Sequence, residues 1–495
     1  MVRTRFAPSP TGYIHIGSIR TALYSYAYAK KHGGTFILRI EDTDKKREME
    51  GGVEDIVKAL KVFGLDFDEG PSTPLRKLPG NGGPYSPYIQ SQRLDIYKGK
   101  AEELVENRKA YYCFCSEERL LELREKQQKE GKKPMYDRKC RDLDIQESRK
   151  KIADGEKYVV RLNVPSGRKL GIDDKVMGKV SWDSDEVDDQ VLLKSDGFPT
   201  YHLAVVVDDV IMGVTHITRG IEWLASVPKH ILLFEAFGYK MPVMAHMPVI
   251  LDPAGGKLSK RKGTVSVEDF LKQGYLSEAL LNFLMLLGWA PDDDREFFSL
   301  KEFVKVFSLE RLNRASPVFD RLKLLWFNGE YIRKYSTKDF AKKVLDWTRE
   351  YCDDEKMKKA ILEDTDLTAK LELIQERIVL LSEAVTSLQF FYERMPVPDT
   401  KTVKGIKRYE VSNLKKAVVD YAEVISRYDD ATSQWTHEDW EKNIRELADK
   451  YKIKHGDMFM MIRLVICGSP ISPPLYESLV ILGKQEVLER LENFR

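Results

Sequence analysis

Residues 4–27 read TRFAPSPTGYIHIGSIRTALYSYA, and the order of signals in this stretch decides the fold prediction. Thr4–Ala7 is a short β-prone run that is ended by prolines, and after Gly17 the apolar residues recur at the spacing of one helix face. Thr35–Ile40 is a second β-prone and mostly apolar run, of the kind that lies buried in a parallel sheet. Strand, helix and strand in this order predict a doubly wound α/β domain.

The chain changes character twice after this first segment. Between residues 110 and 189, a charged helix at Glu117–Glu130 and several short strand-like runs predict an inserted α+β unit. Val191–Leu193 and Tyr201–Val207 are interpreted as the α/β core resuming. Beyond about residue 298 the pattern is almost entirely helical. We therefore expect an α/β protein: a Rossmann-like parallel-sheet domain with an α+β insertion, followed by an all-helical C-terminal region.

Composition limits the class of protein. The 495 residues predict three or four domains at about 100–200 residues each. Lys and Arg total 80 against 78 Asp and Glu, so a nucleic-acid surface would have to come from local clustering of charge. The longest apolar stretch, residues 279–290, is shorter than the roughly 18 residues that span a bilayer, and five cysteines are too few for a disulfide framework. We expect a cytoplasmic protein with no membrane partner.

Two segments carry the candidate nucleotide chemistry. Ala7–Ser18 joins the first strand to the first helix, where open α/β sheets bind ligands and a helix N-terminus attracts phosphate. In this segment His15 can donate a hydrogen bond to a phosphate oxygen, and Gly17 lets a flat base approach the backbone. Lys257–Gly263, KLSKRKG, is a cationic loop. Each segment alone has an ordinary explanation, a tight turn with a surface histidine and a solvated basic run. Together they indicate a nucleotide site.

The two segments resemble the signature motifs of class I aminoacyl-tRNA synthetases. His15–Ser18 is similar to the "HIGH" motif and Lys257–Arg261 to the "KMSKS" motif. Ser18 departs from the general motif, which ends in histidine, but the family in question often lacks that histidine. The likeness to bacterial-type glutamyl-tRNA synthetases extends over almost the whole chain. It is carried by Thr4–Gly12, Arg39–Asp44, Lys194–Ala204 and Val214–Trp223.

The resemblance implies an ATP-dependent ligase that forms glutamyl-adenylate and transfers the glutamyl group to the 3'-terminal adenosine of tRNA(Glu), with Mg²⁺ accompanying ATP. It implies that His15, Lys257 and Lys260 are catalytic, with Lys260 as the main cation. It implies that glutamate is bound by Arg5, Ala7, Ser9, Glu41, Tyr201 and Arg219. It implies that ATP is bound by His15, Gly17, Ser18, Glu222, Leu258, Ser259, Lys260 and Arg261. Two guanidinium groups and a compensating anion suit a substrate with two carboxylates and one ammonium.

Three of the cysteines lie in the insertion. Cys113-Phe114-Cys115 and Cys140-Arg141-Asp142 form a C-x-C…C-x-D arrangement, and zinc takes four ligands that are usually thiolate or imidazole. The resemblance implies a structural Zn²⁺ held by Cys113, Cys115, Cys140 and Asp142, with Asp142 in the place of a histidine. Tyr136 is an alternative oxygen ligand. Some members of the family lack the metal, so three reduced cysteines without zinc stay the alternative.

The resemblance also assigns roles along the chain. Residues 1–100 and 196–245 are the two halves of the catalytic domain, 101–195 the acceptor-end-binding insertion, 246–335 the stem-contact region with the KLSKR loop, and 336–495 the anticodon-binding domain. Arg377 would contact an anticodon base. The apolar spacing around it predicts a helix, so an exposed helical cation without a role is the alternative reading. The resemblance implies a monomer.

Three other functions share part of this pattern. A glutaminyl-specific enzyme is expected to differ at Ala7–Gly12 and to carry a β-rich anticodon module. The short paralogue that glutamylates a modified tRNA base lacks the C-terminal third that this chain has. A non-catalytic RNA-binding relic disagrees with the retention of His15 and Lys260. Residue types alone leave open whether tRNA(Gln) is charged as well as tRNA(Glu).

Overall fold

The computed structural model describes residues 1–44, 49–258, 265–427 and 436–494, which divide into two compact units. The α/β unit comprises Met1–Asp269 and Leu281–Asp320, and the helical unit comprises Phe270–Leu280 and Arg321–Arg495. The division falls inside the predicted stem-contact region 246–335. Residues 270–280 belong to the helical unit because Leu276 and Ala279 are part of its apolar core.

Short strands build two kinds of sheet in the α/β unit. Their bounds are β1 Arg3–Phe6, β2 Thr35–Leu38, β3 Ala110–Cys113, β4 Val159–Leu162, β5 Lys169–Asp174, β6 Gly178–Asp183, β7 Val191–Leu193, β8 His216–Gly220 and β9 Val243–Met247.

Ten helices precede residue 320 in the described part of the chain, and two of them, α8 and α9, extend across the division between the units. The first group is α1 Ile16–Lys31, α2 Gly52–Val62, α3 Leu94–Glu106, α4 Glu117–Lys129, α5 Ile145–Ala153, α6 Tyr201–Ile211, α7 Val227–Ala236, α8 Val267–Lys272, α9 Ser277–Leu286 and α10 Leu300–Val306. The second is α11 Arg321–Lys334, α12 Thr337–Tyr351, α13 Glu355–Glu363, α14 Leu367–Glu372, α15 Glu383–Tyr392, α16 Val411–Ser426, α17 His437–Lys450, α18 His455–Cys467, α19 Leu475–Leu482 and α20 Lys484–Glu492.

The parallel strands form the predicted α/β core. β1 pairs in parallel with β2, and β8 pairs in parallel with β9. The backbone N–H of Thr215, just before β8, donates to the carbonyl of Arg3 at 2.9 Å, so β8 runs beside β1. β2 ends at Leu38, two residues before the predicted end, and Ile40 makes only an isolated bridge to Ile89. The Rossmann-like prediction is confirmed.

The first helix follows the predicted pattern closely. Ile19, Ala22 and Leu23 of α1 are fully buried, as the helical spacing of the apolar residues required. The helix stops at a glycine pair, in which Gly33 adopts a left-handed φ of 58°. At Gly34 the chain passes so close to Val2 that a side chain there would overlap the backbone oxygen of Val2. The glycines therefore permit the immediate turn from α1 into β2.

The insertion has its own antiparallel sheet, and one strand-like run joins this sheet rather than the α/β core. β3, β4 and β7 form a three-stranded sheet, with β5 and β6 as a separate hairpin. Val191–Leu193 was expected to belong to the resuming α/β core, but it is β7 and pairs with β4. A three-residue apolar run carries no signal for its partner strand, which explains the error. The α/β core resumes at α6, whose Leu203 shares one apolar core with Leu192 of β7.

The helical unit confirms the prediction of an all-helical C-terminal region. The side chain of Ser336 accepts the backbone N–H of Asp339 at the start of α12, and Thr436 does the same for Asp439 at the start of α17. Apolar faces of α16, α17 and α18 meet in one buried cluster around Trp440. Within the described ranges, none of the helices combines the length and the apolar character that crossing a bilayer requires.

Candidate active site

Two cavities open beside the end of β8 and the start of α1. The smaller has a volume of about 210 Å³ and the larger about 450 Å³. The two cavities adjoin, because residues at the end of β8, just after it and at the start of α1 line both of them. The shared lining is His15, Ser18, Thr21, Gly220 and Glu222.

The smaller cavity brings the two signature segments together. Lys257 and Leu258 line it with His15, Gly17 and Ser18, although about 240 residues separate the two segments. The backbone holds them in place: the N–H of Ile16 donates to the carbonyl of Val265 at 3.0 Å, and the N–H of Val267 donates to the carbonyl of Ile14 at 3.0 Å. The predicted site residues Ser259, Lys260 and Arg261 lie outside the described residues.

His15 caps the first helix with its own ring. Nδ1 of His15 accepts the backbone N–H of Gly17 at 2.9 Å, so the proton of the neutral imidazole lies on Nε2. A Cβ atom at residue 17 would lie 3.1 Å from the His15 ring, so glycine leaves the ring the room to fold onto the helix end. The result is an N–H donor beside a helix N-terminus, an arrangement that suits an anion.

The larger cavity contains the six residues predicted to bind an amino acid, Arg5, Ala7, Ser9, Glu41, Tyr201 and Arg219. They come from separate elements: Arg5 from β1, Glu41 from the turn after β2, Tyr201 from the first turn of α6 and Arg219 from β8. Two guanidinium groups and the Glu41 carboxylate therefore face the same space, and Glu222 lines its border with the smaller cavity. This charge pattern complements a ligand with two carboxylates and one ammonium.

A buried ion-pair network fixes two of these groups. Arg39 is fully buried and donates to Asp209 at 2.7 Å and to Glu41 at 3.1 Å, while Arg5 donates to Asp209 at 3.3 Å. Burial raises the pKa of the Glu41 carboxyl, and the nearby Arg39 and Arg5 oppose that rise. The network therefore holds Glu41 and Arg5, one of the two arginines of the larger cavity, in fixed positions.

Arg219 is surrounded differently, and two of the residues around it are histidines that the sequence did not indicate. It donates to His246 of β9, to His230 of α7 and to the hydroxyl of Tyr201. The ring of Tyr201 stacks on that of Trp223, with ring centroids 4.1 Å apart. His246 interrupts the apolar run VMAHMPVI, and a polar residue in a buried strand is the signal that could have identified it. Nothing in the local sequence marks His230.

The three cysteines of the insertion come together. The sulfur atoms of Cys113, Cys115 and Cys140 lie within 4.8 Å of one another, and Cys115 and Cys140 are 3.6 Å apart. The thiols are reduced. Hydrogen bonding, first from Cys140 and then from Tyr136, lowers the pKa of the Cys113 thiol, so this thiolate forms readily. Arg119 lies 3.4 Å from the sulfur of Cys115 and adds positive charge beside the group.

The oxygen beside these sulfurs is that of Tyr136, the alternative ligand, and not a carboxylate oxygen of Asp142. Asp142 lines a different cavity of the insertion and is not among the residues whose ligand atoms converge. The phenol oxygen of Tyr136 instead lies 3.3 Å from the sulfurs of both Cys113 and Cys115 and accepts the backbone N–H of Cys140. The turn at Cys140 brings its backbone against Tyr136, so this phenol, rather than the Asp142 carboxylate, meets the sulfurs.

Arg377 lies in the helical unit, where it is exposed at the edge of a cavity of about 560 Å³. Its guanidinium donates to the backbone oxygen of Ser472 at 3.3 Å. The helix predicted through this region is interrupted: α14 ends at Glu372, and residues 373–377 form turns. The apolar residues Ile374 and Ile378 are nonetheless buried, so the spacing identified core positions without identifying the turn.

Both the α/β part and the helical part of the chain match known protein families. Residues 1–326 match the family described as "tRNA synthetases class I (E and Q), catalytic domain", and residues 339–495 match the family described as "Anticodon binding domain".

Individual relatives agree with these matches. The glutamate–tRNA ligase of Clostridium kluyveri is 41% identical over 492 residues, which cover 99% of this chain and 97% of the relative. The glutamate–tRNA ligase of Clostridioides difficile is 39% identical over 502 residues, covering 99% and 98%. The crystal structure of a glutamate tRNA ligase from Elizabethkingia meningosepticum in complex with its amino acid is similar over 100% of this chain and 99% of its own, with a TM-score of 0.84 and 34% identity.

Proposed function

This chain belongs to the glutamate–tRNA ligase family of class I tRNA synthetases, and we propose that its two adjoining cavities are the active site in which that reaction occurs. The protein activates L-glutamate with ATP and transfers the glutamyl group to tRNA(Glu). The observation that carries the site assignment is the shared border of the cavities. His15 and Lys257 line the smaller one, and the complete set of expected glutamate contacts lines the larger one.

ATP occupies the smaller cavity in this proposal. The helix N-terminus and the Nε2–H of His15 meet phosphate oxygens, Gly17, Ser18 and Leu258 contact the nucleotide, and Glu222 contacts it from the shared border. Mg²⁺ prefers oxygen ligands and is commonly held by substrate phosphates and one or two carboxylates. The exposed carboxylate of Glu222 fits that chemistry. Lys260, with Ser259 and Arg261, is proposed to contact the phosphates on the strength of the sequence motif.

Glutamate occupies the larger cavity. Arg5, Tyr201 and Arg219 bind its two carboxylates, and Glu41 and Ser9 bind its ammonium group, with Ala7 alongside. An oxygen of the α-carboxylate attacks the α-phosphorus of ATP, the bond to pyrophosphate breaks, and glutamyl-adenylate forms. The terminal ribose hydroxyl of the tRNA then attacks the carbonyl carbon and AMP leaves. No protein nucleophile is needed, so the residues act by positioning and by stabilising charge on phosphate oxygens.

Glutamate-dependent exchange of pyrophosphate into ATP, measured with and without tRNA(Glu), tests this assignment. We expect Lys257→Ala, His15→Ala and Lys260→Ala each to slow exchange roughly tenfold or more, because each removes a donor to developing phosphate charge. Lys240→Ala, a substitution of an exposed lysine outside both cavities, should leave exchange unchanged. Wild-type exchange in all three variants would overturn the site assignment.

The insertion is proposed to hold one structural Zn²⁺ through Cys113, Cys115, Cys140 and Tyr136. Zinc–sulfur bonds are about 2.3 Å long in tetrahedral sites, which suits three sulfurs that lie this close together. When bound, the ion would crosslink β3 to the turn at Cys140.

Metal analysis of protein purified without chelator tests the zinc proposal. We expect one zinc per chain in the wild type and almost none in Cys140→Ser, whereas Cys352→Ser, which removes a buried cysteine of the helical unit, should retain it. Tyr136→Phe should weaken zinc binding and Asp142→Asn should not. A zinc content near zero in the wild type would refute the proposal.

The tRNA is proposed to contact both units. The insertion would receive the acceptor end, residues 246–335 the stem, and the helical unit the anticodon, with Arg377 at a cavity large enough for a base. Aminoacylation of purified tRNA(Glu) and tRNA(Gln) tests the range of substrates, and Arg377→Ala should raise the KM for tRNA more than it lowers kcat. We propose that the protein acts as a monomer in the cytoplasm, where its tRNA is used. Sedimentation of the free protein checks the oligomeric state.

A further inference from the structure

Arg219 is a buried cation whose hydrogen-bond acceptors are all uncharged. The residue is 4% exposed. Its Nε donates to Nε2 of His246 at 2.9 Å, and its Nη1 donates to the phenol oxygen of Tyr201 and to Nδ1 of His230, each at 3.3 Å. Its Nη2 donates to the backbone oxygen of Trp223 at 3.3 Å. Arg5 beside it is paired with a carboxylate, but in the part of the chain that the structure describes Arg219 forms no ion pair.

The direction of these hydrogen bonds decides the protonation of three histidines. A guanidinium has five donors and no acceptor, so each ring nitrogen that Arg219 contacts must be an acceptor without a proton. In His246 the proton therefore lies on Nδ1, which donates to Asp174 at 2.6 Å. In His230 the proton lies on Nε2, which donates to Nδ1 of His202 at 3.2 Å. All three rings are neutral in this arrangement, and burial lowers the pKa of each of them.

Asp174, at the end of β5, holds His246 from the side opposite Arg219. Its carboxylate accepts the ring proton of His246 and the backbone N–H of the same residue, the latter at 3.1 Å. It also accepts the backbone N–H groups of Val176 at 2.9 Å and Met177 at 2.8 Å. The negative charge of Asp174 is thus engaged by four donors and separated from Arg219 by the imidazole ring.

We propose that His230 and His246 are specificity-determining positioning residues: they hold Arg219 through neutral acceptors and leave its charge to be paired by the side-chain carboxylate of glutamate. This inference rests on the proposed function, in which Arg219 binds glutamate. A buried cation without a protein counter-ion favours an anionic ligand over its neutral amide, because the amide leaves the charge unpaired in a dry site. An arginine already paired with a protein carboxylate would offer glutamate little advantage over glutamine.

The position of Arg219 decides which carboxylate it receives. The reacting α-carboxylate must face the border of the two cavities, where His15 and Glu222 lie. Arg219 lines only the larger cavity, so it is placed for the carboxylate that does not react. Arg5 differs in that its charge is already shared with Asp209 at 3.3 Å. Of these two cations, Arg219 is therefore the one whose charge can discriminate glutamate from glutamine.

A pair of substitutions that differ by one charge tests the proposal. His230→Asn places an amide oxygen near the position of Nδ1 and keeps a neutral acceptor for Arg219, whereas His230→Asp places a carboxylate there. We expect His230→Asp to lower kcat/KM for glutamate in pyrophosphate exchange by roughly 10- to 100-fold, mainly through KM, because Arg219 then has a protein counter-ion. The ratio of glutamine to glutamate activity should rise. His230→Asn should keep the wild-type preference.

Substitution of Asp174 tests the same set of neutral acceptors around Arg219 without adding a charge. Asp174→Asn replaces an acceptor by an amide that can donate to Nδ1 of His246, which would move the ring proton to Nε2 and turn a donor toward Arg219. We expect the KM for glutamate to rise while the KM for ATP changes little. The ¹⁵N shifts of the His246 ring should report an Nδ1–H tautomer in the wild type and its loss in the variant.

The outcomes separate this inference from the proposed function. If Arg219→Gln leaves the KM for glutamate unchanged, the assignment of Arg219 to glutamate fails. A different result would be that Arg219→Gln raises that KM but folded His230→Asp keeps the wild-type preference for glutamate over glutamine. In that case only the inference that neutral histidines hold Arg219 for glutamate is overturned. Should His230→Asp fail to fold, the wild-type ¹⁵N spectrum decides: a doubly protonated His230 or His246 at pH 7 overturns the inference, and neutral rings with the stated tautomers support it.

Discussion

Arg39 and Arg219 are both buried arginines near the larger cavity, but the groups around them differ. Arg39 is fully enclosed and pairs with Asp209 and Glu41, whereas the acceptors of Arg219 are imidazoles, a phenol and a backbone oxygen. The first arrangement fixes protein charges relative to one another. The second leaves a positive charge for a ligand. The role of a side chain here depends on whether the protein or the substrate supplies its counter-ion.

Replacement of Arg39 should destabilise the α/β unit strongly. Arg39→Met removes the cation between Asp209 at 2.7 Å and Glu41 at 3.1 Å and leaves both carboxylates buried without it. Breaking one side of a buried ion pair typically lowers the free energy of unfolding by about 3–5 kcal/mol. Urea unfolding followed by circular dichroism measures the change. Lys169→Met, which breaks an exposed pair with Asp183, should change stability by no more than about 1 kcal/mol; equal effects of the two substitutions would contradict the expectation.

The elements that build the cavities are joined by short turns at the ends of the parallel strands. β1 leads through the segment of residues 7–15 into α1, β2 leads to Glu41, and β8 leads into the turn that carries Glu222 and Trp223. Because parallel strands end at one edge of a sheet, residues far apart in sequence converge there. The turn between α1 and β2 lies at the opposite end of these strands and has a purely structural task.

Two glycine substitutions distinguish a position that requires glycine from one that accepts a side chain. Gly34→Ala should destabilise the protein, because the new Cβ would overlap the backbone oxygen of Val2 where α1 turns into β2. Gly99→Ala, in the exposed interior of α3, meets no atom within 4 Å and should raise the free energy of unfolding by about 0.5–1 kcal/mol, since alanine favours a helix over glycine. Thermal melts of both variants measure the two signs. The same sign for both would contradict this account.

Across the whole molecule, the sequence predicted most of the fold and the chemistry of the cavities. Helical periodicity located α1 and the helical C-terminal region, and a continuous apolar, β-prone run located β2, because each of these elements buries the residues that form the pattern. Periodicity does not report strand pairing, which is why Val191–Leu193 was assigned to the wrong sheet. It also does not report a turn inside a buried apolar pattern, as at residues 373–377.

The parts of the site that the sequence did not predict depend on tertiary contact. Asp174, His246 and Arg219 lie on three different strands, and only the folded chain brings them within hydrogen-bonding distance. The same holds for Tyr136, whose phenol meets the cysteines in place of Asp142. Motif spacing identifies residues that a family shares at one site. It does not identify the residues that hold those side chains in position.

Buried neutral histidines also make the stability of the whole protein depend on pH. Burial lowers the pKa of His202 to about 3, and His230 lies well below the usual value of 6.5. Between pH 6.5 and about 3 the unfolded chain binds protons at these rings that the folded chain does not bind. Protons therefore favour the unfolded state, and the free energy of unfolding should fall as the pH decreases through this range, by up to about 1.4 kcal/mol per pH unit for each ring.

Comparison of the wild type with His202→Asn isolates this effect from that of the carboxylates, which also bind protons as the pH falls. The amide oxygen of Asn can still accept the hydrogen bond that His230 donates to His202 at 3.2 Å in the wild type. The contact is therefore kept while one titrating group is removed. Urea unfolding at several pH values between 6.5 and 4.5 should then show a shallower loss of stability in His202→Asn than in the wild type. Parallel curves for the two proteins would show that His202 binds its proton in the folded state as readily as in the unfolded state. His202 would then not be the neutral acceptor for His230 that the hydrogen bonds from Arg219 require.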